Sequence, residues 1–305
     1  MSLSKAVIFA ALALAPGLAT ACACGCGMFQ VGMPGLGLPT KSGGNVNLQM
    51  TFLDQDAAMQ GSSKIPLSQS PDQRIRTTFY DLNTQYQFSR SWGMMMTVPY
   101  WQRSFDTDAN FGNGPARIVE AKVNTLSDIR IMGLYTGFSP DMSSGLIFGM
   151  KLPTGTYNAP GFDRDTQPGT GSTDLLLGGY RLGQERRWGW FLQGMLRSAV
   201  STRDDYRPGN SLHLVFGMHY DGFRYSSHIT PMLQINATVR QADTGINSNT
   251  LNSGLKTLYL APGALIDLGR HWQANANIYA PLYQHVNGIQ LVPRQIASAG
   301  LTYNF

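Results

Sequence analysis

From Phe223 to Arg240 the chain alternates with a period of two. Odd positions read Phe, Tyr, Ser, Ile, Pro, Leu, Ile, Ala, Val, and even positions Arg, Ser, His, Thr, Met, Gln, Asn, Thr, Arg. Successive side chains of a strand point to opposite faces, so the stretch predicts one apolar wall and one wet wall. The pattern returns where Trp272, Ala274, Ala276, Ile278, Ala280 and Leu282 alternate with Gln273, Asn275, Asn277, Tyr279, Pro281 and Tyr283. It returns again where Ala297, Ala299, Leu301, Tyr303 and Phe305 alternate with Ser298, Gly300, Thr302 and Asn304. Apolar rows facing lipid and Asn/Gln rows facing a hydrated interior are what a transmembrane β-barrel requires.

Twelve such segments are expected, near 45–54, 74–88, 92–104, 126–138, 144–153, 172–182, 188–200, 211–221, 223–240, 254–268, 271–284 and 294–305. Twelve is even, and the links alternate in length. Short ones such as Ser89-Arg90-Ser91 and Gly269-Arg270 alternate with long ones at 55–73, 105–125, 154–171 and 241–253. The reading is all-β: a transmembrane antiparallel up-and-down β-barrel of about twelve strands over 45–305, with short turns and both termini on the periplasmic side.

Arg90-Ser91-Trp92, Arg187-Trp188 and Arg270-His271-Trp272 each place a basic residue and a tryptophan where a strand leaves a short turn. Tryptophan favours the membrane interface, so Trp92, Trp188 and Trp272 are expected as interface anchors. Leu301, Tyr303 and Phe305 share one face of the last strand, and they resemble the signal by which the barrel-assembly machinery recognises its clients.

Residues 1–21 carry Lys5, an apolar run from Ala6 to Ala15, Pro16-Gly17 and Ala19-Thr20-Ala21. That is a secretory signal with an A-x-A cleavage site. It leaves residues 22–44 as a periplasmic segment and places the protein in a bacterial outer membrane, in contact with its lipid. Beyond the signal no apolar run reaches the ~18 residues of a membrane helix. Charged residues make up 13% of the chain, about half the share usual in soluble domains. Net charge is +5, but its basic residues are scattered and form no footprint for nucleic acid.

All three cysteines, Cys22, Cys24 and Cys26, fall in one pentapeptide. Thiolates at this density suit a soft metal such as Cu or Zn. Three ligands fall short of a usual structural zinc site, and a disulfide between residues two apart is strained. Lipidation of Cys22 and the absence of any specific role stand beside the metal reading, and no other cofactor is expected.

Leu126-Ser127-Asp128-Ile129-Arg130, Lys151-Leu152-Pro153-Thr154-Gly155 and Gly169-Thr170-Gly171-Ser172-Thr173-Asp174-Leu175-Leu176-Leu177-Gly178 resemble the transporter-like outer-membrane family named for the meta-pathway of phenol degradation. The resemblance is clearest over 126–220. It implies a barrel and the passage of small, often hydrophobic or aromatic solutes. Within it, Asp128 and Asp174 each open a strand expected to end in a tyrosine, Tyr135 and Tyr180, as two equivalent hairpins would.

With the wet face inward, the lumen receives Asp81, Arg103, Asp128, Arg130, Lys151, Asp174, Arg197, His213, His219, Arg224, His228 and Arg240. Both signs are present, so opposite charges are expected to pair across the interior, either as rigid filling or as the lining of a selective path. Ser226 with His228, and His213 with His219, share strand faces, but they face the lumen and lack an orienting third group, so the protein is not read as an enzyme. Of Met94-Met95-Met96, two point to lipid and one inward as apolar filling. The sequence therefore predicts a channel or passive transporter for a small-molecule solute. A metal-handling or redox-sensing cysteine segment anchored by the barrel is the rival, and a structural barrel with a plugged lumen is the third reading.

Overall fold

A computed structural model describes residues 43–223 and 228–305. The expected signal peptide, Cys22, Cys24, Cys26, Arg224 and Ser226 lie outside the described residues. Thirteen strands follow in order: β1 (Gly43–Gly61), β2 (Ser63–Ile65), β3 (Asp72–Gln87), β4 (Trp92–Asp108), β5 (Ile118–Leu126), β6 (Arg130–Tyr135), β7 (Ser144–Lys151), β8 (Thr173–Glu185), β9 (Trp188–Ser201), β10 (Ser211–Tyr220), β11 (Ile229–Arg240), β12 (Leu255–Gly269) and β13 (Trp272–Asn304). Among the described residues, eleven of them form a closed antiparallel ring in chain order, sealed by β13 against β1, while β2 and β5 lie outside it.

The last element turns back on itself. Residues 272–286 pair with β12 and residues 286–304 pair with β1. The turn falls at Asn287-Gly288, where Gly288 adopts a left-handed φ of 56° and Gln284 Nε2 donates to the Pro293 carbonyl at 3.1 Å. The chain thus crosses twelve times, and the two strands expected at 271–284 and 294–305 are the arms of this hairpin.

Other boundaries also depart from the sequence reading. The link expected at 105–125 is largely strand, since β4 runs on to Asp108 and β5 begins at Ile118, and the strand expected at 126–138 shortens to β6. β5 and β6 both pair with β4, and Ser127-Asp128-Ile129 breaks the ladder between them. The break faces Pro99 of β4, which has no N–H to give, and the Pro99 carbonyl takes the Ser127 N–H at 2.8 Å. Of the strand expected from 223, the described part is β11 from Ile229, with a bend at His228 before it and Asp221–Phe223 in a 3-10 turn. The link expected at 55–73 is partly strand, since β1 runs on to Gly61 and folds back on β2.

Side-chain alternation follows the pleat. Leu48, Met50 and Phe52 of β1, Leu175 and Leu177 of β8, Leu192 and Leu196 of β9, and Leu233 and Ile235 of β11 point outward and are exposed, whereas Gln49, Thr51, Leu176, Phe191 and Gln234 between them are buried inside. An apolar outer belt around a filled interior is the membrane-barrel arrangement. Met94 points outward, and Met95 packs inside among Met132, Leu134 and Tyr180.

At the short-turn end Trp92, Trp188 and Trp272 are exposed by 49%, 52% and 42%. Each rests on a neighbouring tyrosine: Tyr135 at 4.9 Å, Tyr220 at 4.8 Å and Tyr303 at 4.9 Å between ring centroids. Phe305 stacks on Tyr303 and Tyr86 in the same girdle. Tyr135 and Tyr180 are not equivalent. Tyr135 lies seven residues after Asp128 and joins the outer girdle, while Tyr180 lies six after Asp174, faces inward and donates its hydroxyl to the Met142 carbonyl at 2.9 Å.

Leu177→Arg places a charge in the middle of the outer belt and should cost about 2–4 kcal/mol of folding stability. Urea unfolding in lipid vesicles measures it.

Candidate functional site

Residues 152–172, which link β7 to β8, fold into the long-loop mouth of the barrel. Phe162 and Ala159 pack with Ala58, Ile75, Phe105 and Leu291 of the wall, and Asp165, Thr166 and Gln167 are buried. Gln167 holds the loop in shape by donating to the Ala159 and Phe162 carbonyls at 3.0 and 2.9 Å.

The ends of this loop are fastened by one charge cluster. Lys151 Nζ, on the inner face of β7, donates to Asp128 Oδ2 at 2.6 Å, Thr170 Oγ1 at 2.5 Å and the Ser172 carbonyl at 2.8 Å, and lies 3.4 Å from Asp174 Oδ2. Asp128 in turn accepts the backbone N–H of Gly155 at 3.0 Å and of Thr170 at 2.9 Å. Gly155 and Gly169 let two backbones touch: a Cβ on Gly169 would sit 2.5 Å from the Gly155 carbonyl group. Each of the three quoted sequence stretches supplies one part of this clamp. The expected pairing of opposite charges is therefore real, but it runs along the wall between neighbouring strands instead of across the interior.

The charges continue round the inner wall. Arg197 of β9 lies 3.6 Å from Asp174 and donates to Ser211 Oγ at 3.3 Å. Arg240 pairs with Asp243, which also accepts the Tyr206 hydroxyl at 2.9 Å. On the opposite wall Arg103 Nε donates to Thr77 Oγ1 at 2.9 Å, its Nη1 donates to the Thr166 carbonyl, and its guanidinium lies 4.8 Å from the Trp101 ring centre. Arg103 thus ties the middle of the loop to β4. Ser127 Oγ ties it to the β5–β6 break, donating to the Pro168 carbonyl at 2.5 Å.

Below the loop the interior is apolar on two sides. Leu53, Phe79, Trp101, Tyr259, Ala261, Tyr279 and Ile296 form one cluster from β1, β3, β4, β12 and β13. Met132, Leu134, Ile147, Leu176, Tyr180 and Met195 form another from β6 to β9, which Phe191, Val215 and Met232 extend through Leu182. Toward the short turns the lining becomes amide-rich, with Asn275 Nδ2 donating to Gln49 Oε1 at 3.2 Å and Gln234 Nε2 to Asn277 Oδ1 at 3.3 Å.

Asp81, Arg103, Asp128, Arg130, Lys151, Asp174, Arg197, His213 and Arg240 lie on the inner face. His213 Nδ1 is 3.1 Å from Thr238 Oγ1. His219 sits at the short-turn mouth, 3.7 Å from Asp221. His228 is a correction: it is exposed in the turn before β11, with a left-handed φ of 57°, and is not in the lumen. The period-two pattern of the sequence continues through this bend, so no local signal marks it. The buried loop residues Thr166, Gln167, Thr170 and Ser172 carry no period-two signal, although Gly169-Thr170-Gly171-Ser172 marks the place.

Above the lipid-facing belt, Asp72 at the start of β3 is 1% exposed and its Oδ2 has no hydrogen-bond partner. Burial, and then the charges of Asp163 and Asp165 in the loop, push its carboxyl up to about 9. Beside them Asp163, Arg164, Asp165, Asn247, Ser248 and Asn249 line a cavity of about 270 Å³.

Lys151→Met should destabilise the barrel by about 3–5 kcal/mol, because it leaves Asp128 and Asp174 buried without their cation; the urea midpoint in vesicles reports it. The charges of Asp163 and Asp165 in the seated loop add to the burial that holds Asp72 protonated, so displacing the loop lowers its carboxyl toward the ordinary range. Seating is therefore strongest at low pH and weakens as pH rises toward 9. Protease cleavage within 152–172 should accelerate from pH 6 to pH 9, and Asp72→Asn should flatten that dependence.

No curated protein matches the sequence. Among solved structures, an outer-membrane channel from Pseudomonas putida F1 is similar at TM-score 0.69 and 13% identity, over 89% of this chain and 99% of that one. The β domain of the Bordetella autotransporter BrkA is similar at TM-score 0.50 and 13% identity, over 87% and 100%. CymD, a monoaromatic hydrocarbon channel, gives TM-score 0.48 at 8% identity, over 87% and 89%. At these identities the first two likenesses speak to fold alone. Residues 72–280, more than half of the sequence, match the family described as "Putative MetA-pathway of phenol degradation", and the chain belongs to that family.

Proposed function

We propose that this protein is an outer-membrane channel for small hydrophobic molecules, aromatic ones among them. The observation that carries the reading is the interior of the closed barrel. Two clusters, one rich in Phe, Trp and Tyr and the other in Met and Leu, lie beneath the mouth and above an amide-rich exit. A barrel needs an apolar exterior to sit in lipid, but membrane barrels with aqueous pores have polar interiors. Buried against one another with the loop seated, these side chains would offer an entering solute contacts that water does not, as ligand pockets do. The similar Pseudomonas putida structure is described as a channel, and membership of the family fits transport rather than catalysis. Residues 1–21 supply the export signal that this location needs, and Leu301, Tyr303 and Phe305 the assembly signal.

The inserted loop favours a second reading, a structural barrel whose lumen is plugged. The two differ in whether the loop yields. Cells producing the protein should take up the hydrophobic fluorophore N-phenylnaphthylamine faster than cells without it. Replacing residues 157–167 by a short Gly-Ser linker should raise both that rate and single-channel conductance in planar bilayers severalfold. Well-folded barrels that give neither uptake nor conductance, with the loop or without it, would leave the plugged barrel as the function.

A further inference from the structure

Most charges on the inner wall are held by a partner, whereas Asp81 and Arg130 are not. Lys151, Arg197, Arg240 and Arg103 each make hydrogen bonds or ion pairs. Among the described residues, neither the Asp81 carboxylate nor the Arg130 guanidinium makes a hydrogen bond or an ion pair, and Arg130 Nε is buried without a partner. They nevertheless act on each other electrostatically. Asp81 lies on the inner face of β3 and Arg130 on that of β6, on either side of β4, where Pro99 and Thr97 are their register partners.

The pair also stands where the two apolar clusters meet. Phe79 is the next inward residue on β3 and packs on Trp101 at 4.9 Å, edge to face. Met132 is the next inward residue on β6 and belongs to the other cluster. A solute moving between the clusters meets one anion and one cation that do not touch.

We propose that Asp81 and Arg130 form a charge-neutral filter that admits uncharged small molecules and favours inorganic ions of neither sign. The inference rests on the channel reading. An ion beside Arg130 meets Asp81 and, around them, Asp128, Asp174 and Arg197, which with Lys151 on the same carboxylates carry no net charge, so attraction is offset while the loss of hydration is not. A neutral hydrophobic solute loses no hydration of that kind and keeps its contacts with Phe79 and Met132. Removing either charge uncovers the other, and a single uncovered charge selects ions of opposite sign.

Reversal potentials in planar bilayers under a potassium chloride gradient test this on the full-length protein. Wild type should have an anion-to-cation permeability ratio near one. Asp81→Asn should raise the ratio by about threefold or more and Arg130→Gln lower it by as much, since each uncovers a single charge in the pore. Exchanging the two, Asp81→Arg with Arg130→Asp, should return it toward one, and Asp81→Glu with Arg130→Lys should keep it there, which separates charge from any effect on folding. Ratios that stay put in both single variants, or move in the same direction, would overturn the filter while leaving the channel intact. Barrels that never conduct, even with the loop shortened, would overturn the channel reading itself, and the filter with it.

Discussion

In the hydrocarbon layer of a membrane each unpaired peptide group costs several kcal/mol, so a sheet can cross only if it has no free edge. In this chain that constraint is met by the seam between β1 and the second arm of β13, paired from Asn45 with Asn304 upward. Once the ring is closed, every residue faces either lipid or the lumen, and the rest of the molecule follows from that division. Lipid sets the composition outside. Inside, a buried charge needs a partner, and Lys151 finds Asp128 and Asp174 while Arg197 leans on Asp174.

The same pressure explains the loop. A segment entering the lumen brings peptide groups that need partners. The inner wall supplies them through Asp128 for Gly155 and Thr170, Arg103 for Thr166, and Ser127 for Pro168. The buried charges and the buried backbone are thus solutions to each other. A clamp built this way fixes both ends of residues 152–172 to adjacent strands, while the middle rests on apolar contacts around Phe162 and on Arg103. The ends are held by charge and the middle by contacts that are individually weaker, which is a suitable division for a segment that covers a passage.

Much of this was legible in the sequence because period two survives wherever one face meets lipid. The alternation at 229–240 and 272–282 located strands, faces and register parity, and Trp92, Trp188 and Trp272 located the girdle. Legibility failed where that contrast disappears. The split at Ser127-Asp128-Ile129 depends on Pro99 of a neighbouring strand, which no local pattern reveals. The extension of β1 to Gly61 stands clear of lipid, where Asp54 faces Arg74 and Asp56 faces Arg294, and the outward row is charged. His228 keeps the alternating pattern of its neighbours although it lies in a bend. Which loop enters the barrel was hidden, because residues 159–167 are polar in composition and buried only by tertiary contact.

The quoted stretches around Asp128, Lys151 and Asp174 carry the family resemblance, yet their side chains converge on one another and on the loop backbone. No part of the two apolar clusters belongs to the clamp except through strand continuity, as Leu176 follows Asp174 and Met132 follows Arg130. A family can therefore share the device that seats the loop while the apolar side chains beneath it vary, since a lining that gains specificity from shape can change one residue at a time without uncovering a charge. On this view the residues that identify the family report how the mouth is held, and the solute is written in Phe79, Trp101, Tyr259, Tyr279 and the Met-rich wall facing them.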